Sequence, residues 1–381
     1  MLHETSFLSF VSIGGRKDNE KEEVRHVARF IMQNSQGSVF FRALKRMGNG
    51  FFRVFTYIWN MKEIGIIIPT IVYAIFVQLM NPIFFSWNNI GNLLRQTGFV
   101  LIPAIGMTMV LIVGGIDLSV GSVMALACVS SGLLMVMGWP VWLPVWVTIL
   151  IAILLAILIG AFIGLINGSI ILKFDTPPMI MTLGMMFMAR GMVNISTKGL
   201  PVYPLPKEFM AIEQSSLLGI PSIVYLCLVM CIFFHISLSH TTFGRSVYAI
   251  GGSKAAAKLS GIPIGRITIT VFTLCSAMAA VAGIMMGSRL GSAQPSVGVS
   301  HEMNVIAACI VGGTSTFGGR GTILGTAIGA LFMSMLTNSM TLMKVDVYWQ
   351  NLVVGAVLVL AVILDQYKRA ATQRGAKVKA A

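Results

Sequence analysis

The amino-acid sequence predicts an all-α integral membrane protein, a polytopic helical bundle of eight to ten transmembrane helices with broken or re-entrant segments. Three observations carry that expectation. The 381 residues are 56% apolar and only 10% charged, with a mean hydropathy of +0.85, where soluble domains run at about 45–50% apolar and about 25% charged. Charge is also segregated. Of the 27 Lys and Arg and 13 Asp and Glu, sixteen lie in residues 1–63 and five follow Tyr367. The stretch between them has too few charges to coat a water-facing surface. Finally, that stretch divides into apolar runs, most of them close to the ~20 residues that cross a bilayer as a helix.

Those runs are 64–84, 98–113, 120–137, 143–172, 179–195, 219–238, 267–286, 299–311, 321–340 and 347–364. The fourth is long enough to tilt or to extend beyond the bilayer. The eighth is too short to cross and carries His301 and Glu302. Glycines four apart at 160, 164 and 168, and again at 321, 325 and 329, predict close helix contacts, either inside the bundle or across a dimer. Cys128, Cys227, Cys231, Cys275 and Cys309 all sit in apolar runs and are expected to be packing residues.

The polar ends set the expected domains: a cytoplasmic extension over 1–60, a transmembrane domain over 61–366 and a basic cytoplasmic tail over 367–381. Within the extension, 39–59 mixes aromatic and basic residues in a way that suits a helix in the headgroup layer or an ordinary juxtamembrane linker. Cations collect in the N-terminal 63 residues, in 240–266 and in the tail, and short cation-rich loops stay in the cytoplasm. Both termini are therefore expected inside, with an even number of crossings. Topology accounts for the net charge of +14, so the expected partner of this surface is the lipid bilayer and not nucleic acid.

Reactive constellations are missing from the sequence. It has five histidines, none in a zinc spacing, no phosphate-binding GxxxxGK[ST] loop and no nucleophile elbow. No catalytic residue, cofactor or metal is expected, and any drive from ATP has to come from another subunit.

Two junctions look alike. Ile112-Val113-Gly114-Gly115 leads through Asp117 and Ser119 to Gly121, and Ile310-Val311-Gly312-Gly313 leads through Thr314 to Gly318 and Gly319. Glycine pairs at the end of apolar runs predict broken helices that turn backbone polar groups inward, and paired interruptions in two halves of a chain point to a transport path. Asp117 is flanked closely by apolar helices. An acid at the centre of a spanning helix costs about 2.5–3.5 kcal/mol to insert, so Asp117 either caps the next helix or lines a polar path. Arg190 is expected to snorkel to an interface. The residues proposed for a path are Asp117, Ser119, Gly312, Gly313, Thr314, Glu302 and Asn304.

The stretch 240–266 has a different character. Gly244, Arg245, Gly251, Gly252, Lys254, Ala256, Ala257 and Gly261 make it basic and small-faced, with a short helix expected over 255–259. Small side chains flanked by cations suit docking into a groove of a partner subunit.

Five blocks in order, IVGGIDLSVGSVMAL (112–126), TPPMIMTLGMMFMARG (176–191), FGRSVYAIGGSKAAAKLSGI (243–262), RLGSAQPSVG (289–298) and GGTSTFGGRGTILGTAIGAL (312–331), resemble the permease subunits of bacterial ABC importers for monosaccharides. That group includes autoinducer-2 permeases, with branched-chain amino-acid permeases as more distant relatives. The resemblance runs over about 64–364. It implies a non-catalytic subunit of the inner membrane that pairs with a second permease protomer, is driven by two cytoplasmic ATP-binding subunits and receives its sugar from a periplasmic binding protein. It also implies that 244–261 is the segment coupling permease to ATPase. The chain departs from the family pattern at Ser253, where Asn is usual. It departs again at His301-Glu302-Met303-Asn304, where Tyr-Glu-Leu-Asp is usual, which removes an acid. The alternative is a stand-alone secondary transporter or channel for a small polar solute, or a branched-chain amino-acid permease of the same broad family.

Overall fold

The computed structural model describes residues 64–137 and 143–380, most of them helical. The expected interfacial segment 39–59 and the rest of the N-terminal extension lie outside the described residues.

The elements follow in order: α1 (Ile64–Met80), a 3₁₀ turn (Pro82–Phe85), α2 (Trp87–Val113), α3 (Val120–Val136), α4 (Val145–Phe174), α5 (Pro178–Thr197), α6 (Lys207–Gln214), the strands β1 (Ser216–Leu217) and β2 (Ile220–Pro221), α7 (Ser222–His240), α8 (Thr242–Gly252), α9 (Lys254–Leu259), α10 (Ile264–Leu290), α11 (His301–Val311), α12 (Ile323–Leu342) and α13 (Val347–Ala380). The strands form one two-residue antiparallel hairpin. Among the described residues, seven helices are long and apolar enough to span a membrane, and the shorter apolar helices α1, α3 and α11 bring the set to ten. All ten fall on the apolar runs read from the sequence. At eleven residues, α11 is about 16 Å long at 1.5 Å per residue, so this run is a half-helix entered through the irregular segment 291–300. That is the expected broken segment.

Burial orders the bundle. The apolar window of α2 is 94% buried while that of α13 is 6% buried, so α2 is the central post and α13 an outer helix. The glycines explain how backbones close around that post. A Cβ on Gly106 of α2 would come within 2.5 Å of the Cys275 backbone on α10. On α4, a Cβ at Gly160 would fall 2.6 Å from the Ala280 Cβ, and one at Gly168 would fall 2.8 Å from the Ile269 Cα. On α12, Gly325 and Gly329 meet the backbone of α11 at Gly312 and Ala308. Both small-residue stripes thus serve packing inside the bundle, where close approach replaces the hydrophobic drive that lipid cannot supply. Four of the five cysteines are buried and Cys231 is partly buried.

Pro103 lies inside α2. It has no N–H to offer the carbonyl four residues back, which is that of Phe99. His301 at the head of α11 takes up the vacancy, its Nε2 lying 3.0 Å from the Phe99 oxygen. A carbonyl only accepts, so this nitrogen carries the proton. An unpaired backbone group in a membrane costs several kcal/mol, and the break in α2 is thereby repaired by a residue 202 positions away.

Outside the spans, α6 is held down by one buried charge. Glu213 is fully buried and pairs with Arg95, whose Nε lies 3.3 Å from Oε1. Ser288 accepts the Glu213 N–H at 3.1 Å and donates to the Phe209 carbonyl at 2.7 Å. Burial pushes the Glu213 carboxyl above the usual glutamate range, and Arg95 and Arg289 pull it part of the way back. A carboxyl raised in the folded state favours folding below its unfolded pKa, and that contribution is lost as pH rises through the folded value. Glu213→Gln should therefore flatten the pH dependence of thermal unfolding in detergent. Arg95→Ala, which strands the buried carboxylate, should destabilise by about 3–5 kcal/mol and most strongly at alkaline pH. Equal melting temperatures for the two variants at pH 8 would contradict this account of α6.

Candidate functional site

The two sequence junctions fold into the same helix end. Gly114 adopts φ +89° and donates to Leu111 O, while Gly115 donates to Val110 O at 2.9 Å. Gly313 adopts φ +91°, donating to Ile310 O at 2.9 Å, and Thr314 donates to Cys309 O at 2.9 Å. Both are Schellman caps with the left-handed residue at C′. The register differs by one from the alignment of letters: Gly114 corresponds to Gly313, and Gly312 is still helical in φ.

After the first cap the chain turns through Asp117. Its Oδ1 accepts the Ser119 N–H at 2.9 Å and the Ser119 hydroxyl at 2.6 Å, and Asn167 Nδ2 donates to Ser119 Oγ at 3.2 Å. Asp117, Ser119 and Asn167 are all fully buried. Asp117 thereby closes an Asx turn just before α3. Thr182 of α5 completes the turn by accepting the Leu118 N–H at 3.0 Å. Thr314 is buried as well, Gly312 is buried and Gly313 is exposed.

Arg190 does not snorkel. Its Nη1 donates to Pro295 O at 2.7 Å and Val297 O at 2.9 Å, and its Nη2 to Gly121 O at 3.3 Å. The carbonyls of the irregular segment before α11 need donors, and a guanidinium supplies several in one plane. The partners lie on segments far from Arg190 in sequence, so nothing local signalled them. Gly121 and Gly298 cross backbone to backbone in the same place, and Glu302 packs beside Gly121 close enough to attract the Arg190 charge.

A cavity of about 520 Å³ opens between the first half of α2, the end of α10, the head of α11 and the end of α12. Its wall is rich in amides. Asn89 and Asn338 exchange two hydrogen bonds of 3.0 Å across 249 residues, and Gln96 Nε2 donates to Thr337 Oγ1 at 2.8 Å. Arg289 lies over the Phe99 ring, 5.4 Å from its centroid. Of the seven path candidates, only Asn304 borders this cavity, and its buried Oδ1 has no hydrogen-bond partner among the described residues. Asn89, Asn92, Gln96, Arg289, Thr337 and Asn338 were missed. The spacing of amides at 89, 92 and 96 on one helical face is the signal that could have found three of them. No carboxylate is among the lining residues. The size falls in the usual range of small-molecule sites, about 300–1,000 Å³.

At the far end of α2 stands the basic, small-faced segment. The expected short helix is there, and it is preceded by a second one. Thr241 caps α8, its Oγ1 accepting the Gly244 N–H at 3.3 Å, and Ser253 caps α9 by accepting the Ala256 N–H at 3.2 Å. Ser and Asn are equivalent N-caps, so the departure at Ser253 leaves the joint intact. Arg245, Gly252, Lys254, Ala256 and Gly261 are exposed, whereas Gly244 and Ala257 are buried and serve packing. Leu259 is 90% exposed, an apolar tip that the sequence reading passed over.

Gly251 joins this segment to both junctions. A Cβ there would strike the Ile112 carbonyl of α2 and lie 2.5 Å from the Gly319 amide nitrogen. The Gly319 N–H itself donates to Ile112 O at 2.8 Å, satisfying a carbonyl that the end of α2 leaves open. Tyr248 donates its hydroxyl to Gly321 O at 2.7 Å. The exposed segment thus bears on α2 and on the loop after α11 at once. The cavity lies about 18–35 Å from Ile112 along α2 at 1.5 Å per residue.

Known proteins share this sequence over most of its length. A family model described as branched-chain amino acid transport system/permease component matches residues 89–362. The ribose import permease protein RbsC of Escherichia coli (strain K12) is 39% identical over 321 residues, covering 83% of this chain and 97% of that protein. RbsC of Bacillus subtilis (strain 168) is 39% identical over 81% of this chain and 94% of its own length. The L-arabinose ABC transporter permease protein AraH of Azospirillum brasilense is 34% identical over 82% and 90%. No solved structure matches. With ten apolar helices, two matched broken-helix caps and this continuous likeness, the chain belongs to the permease-component family of ABC transporters that includes the ribose and arabinose permeases.

Proposed function

We propose that this chain forms the translocation path of an ATP-driven importer for a monosaccharide, in the inner membrane of a bacterium, with both termini in the cytoplasm. Residues 61–366 are the permease domain, 1–60 a cytoplasmic extension and 367–381 a basic tail. ATP-binding subunits dock on α8–α9, a periplasmic binding protein delivers the sugar to the opposite end, and a second permease protomer completes the path. The single observation that carries this reading is the contact of Gly251 with Ile112 and Gly319. It links an exposed, cation-flanked segment to both helix breaks, so a push from a docked motor has a solid route inward.

The cavity supports a sugar over an amino acid. Amide and hydroxyl groups exchange hydrogen bonds with solute hydroxyls, each donating and accepting. A zwitterion needs its ammonium matched, and the lining offers Arg289 but no acid. The names of the relatives point the same way.

The test is reconstitution with the partner ATPase and binding protein, followed by uptake of labelled ribose, arabinose, xylose, galactose and leucine. ATP-dependent accumulation of one of the sugars is expected. Accumulation by vesicles holding this chain alone would favour the stand-alone transporter, and leucine as the transported solute would exclude a sugar path.

A further inference from the structure

If a motor docks on α8–α9, its stroke must leave α8 through what α8 holds. Besides Ile112 of α2 and its packing on α7, α9 and α10, α8 holds the loop 314–321. Its glycines at 318, 319 and 321 have φ of +87°, +75° and +158°. Glycine backbone deforms easily. The loop closes on itself through the Ser315 N–H to Arg320 O at 3.0 Å, the Gly318 N–H to Ser315 O at 3.3 Å and the Phe317 N–H to Ser315 Oγ at 3.3 Å. Left with those bonds alone, it would absorb displacement.

One carboxylate oxygen ties it down. Asp365 Oδ2 on α13 accepts the Ser315 hydroxyl at 3.1 Å, the Thr316 N–H at 3.2 Å and the Thr316 hydroxyl at 3.3 Å. Three donors on one charged oxygen make the strong class of hydrogen bond. Helix α13 packs in turn on α11, whose head borders the cavity. We propose that Asp365 is a positioning residue of the transport cycle. It fastens the loop to α13, so that movement of α8 reaches α11 and the cavity instead of being spent in the glycine loop. This rests on the docking reading above.

The readout is solute imported per ATP hydrolysed, in vesicles holding the permease with its ATPase and binding protein. Asp365→Ala should capture the ATPase and hydrolyse ATP within twofold of wild type, with solute per ATP falling at least tenfold. Asp365→Asn keeps an acceptor oxygen without the charge and should fall in between. The pair Thr316→Cys with Asp365→Cys should behave like Asp365→Ala when reduced and recover when oxidised. An unchanged ratio in Asp365→Ala overturns the proposal. So does a parallel loss of uptake, hydrolysis and thermal stability that the oxidised cysteine pair does not rescue. Failure of the wild type to capture an ATPase defeats the docking reading itself and this proposal with it.

Discussion

Gly252→Trp should leave the purified subunit as stable as wild type and abolish ATP-driven uptake, by two orders of magnitude or more. A Cβ at Gly252 would meet nothing within 4 Å, the residue is exposed at the end of α8, and its backbone is not left-handed. Surface substitutions of that kind stay within about 0.5 kcal/mol. The damage would fall on a partner seated over the small side chains of α8 and α9, which an indole would hold off. Co-purification of the ATPase with wild type and variant reads the effect directly, and a melting curve in detergent supplies the control. An intact complex with normal uptake would remove α8–α9 as the docking surface.

Gly251→Ala, one residue earlier, should fail from the inside. Its methyl group would collide with two backbone groups, the Ile112 carbonyl and the Gly319 amide, neither of which can rotate away. Forcing them apart is overpacking, which costs about 1–3 kcal/mol. It also breaks the bond from the Gly319 N–H to Ile112 O, worth about 0.5–1.5 kcal/mol more. The expected result is a lower melting temperature together with lost uptake. Wild-type stability and transport in this variant would mean that α8 does not bear on α2 as described. The two neighbours would thus separate the proposed docking surface from the contact that joins it to α2.

The helices were legible because apolar length is a local property. Each run could be read without knowing its neighbours, and the glycine stripes at 160–168 and 321–329 announced close packing. What they packed against was not legible, since Ala280 and Ile269 lie more than a hundred residues from Gly160 and Gly168. The exposed basic segment α8–α9 was visible for the same local reason, as alanines and cations collected in one short stretch. The cavity was not. Apart from Asn304, its wall is single amides and threonines on α2 and α12, each unremarked in its own run, and the Asn89–Asn338 pair exists only after folding. Arg190 was misread because carbonyl partners leave no mark in a sequence. The off-by-one match of the junctions has a similar cause. Helix ends are set by φ and hydrogen bonding, and two adjacent glycines allow either one to be the left-handed residue.

The proline in the central helix has a mechanical corollary. Where a backbone rung is missing, a long helix bends at least cost, and in α2 that place is the turn between Phe99 and Pro103, where an imidazole from α11 meets the open carbonyl. Bending imposed at Ile112 should therefore concentrate beside the cavity rather than spread along the rod. The post has a knuckle, and His301 is the tendon across it.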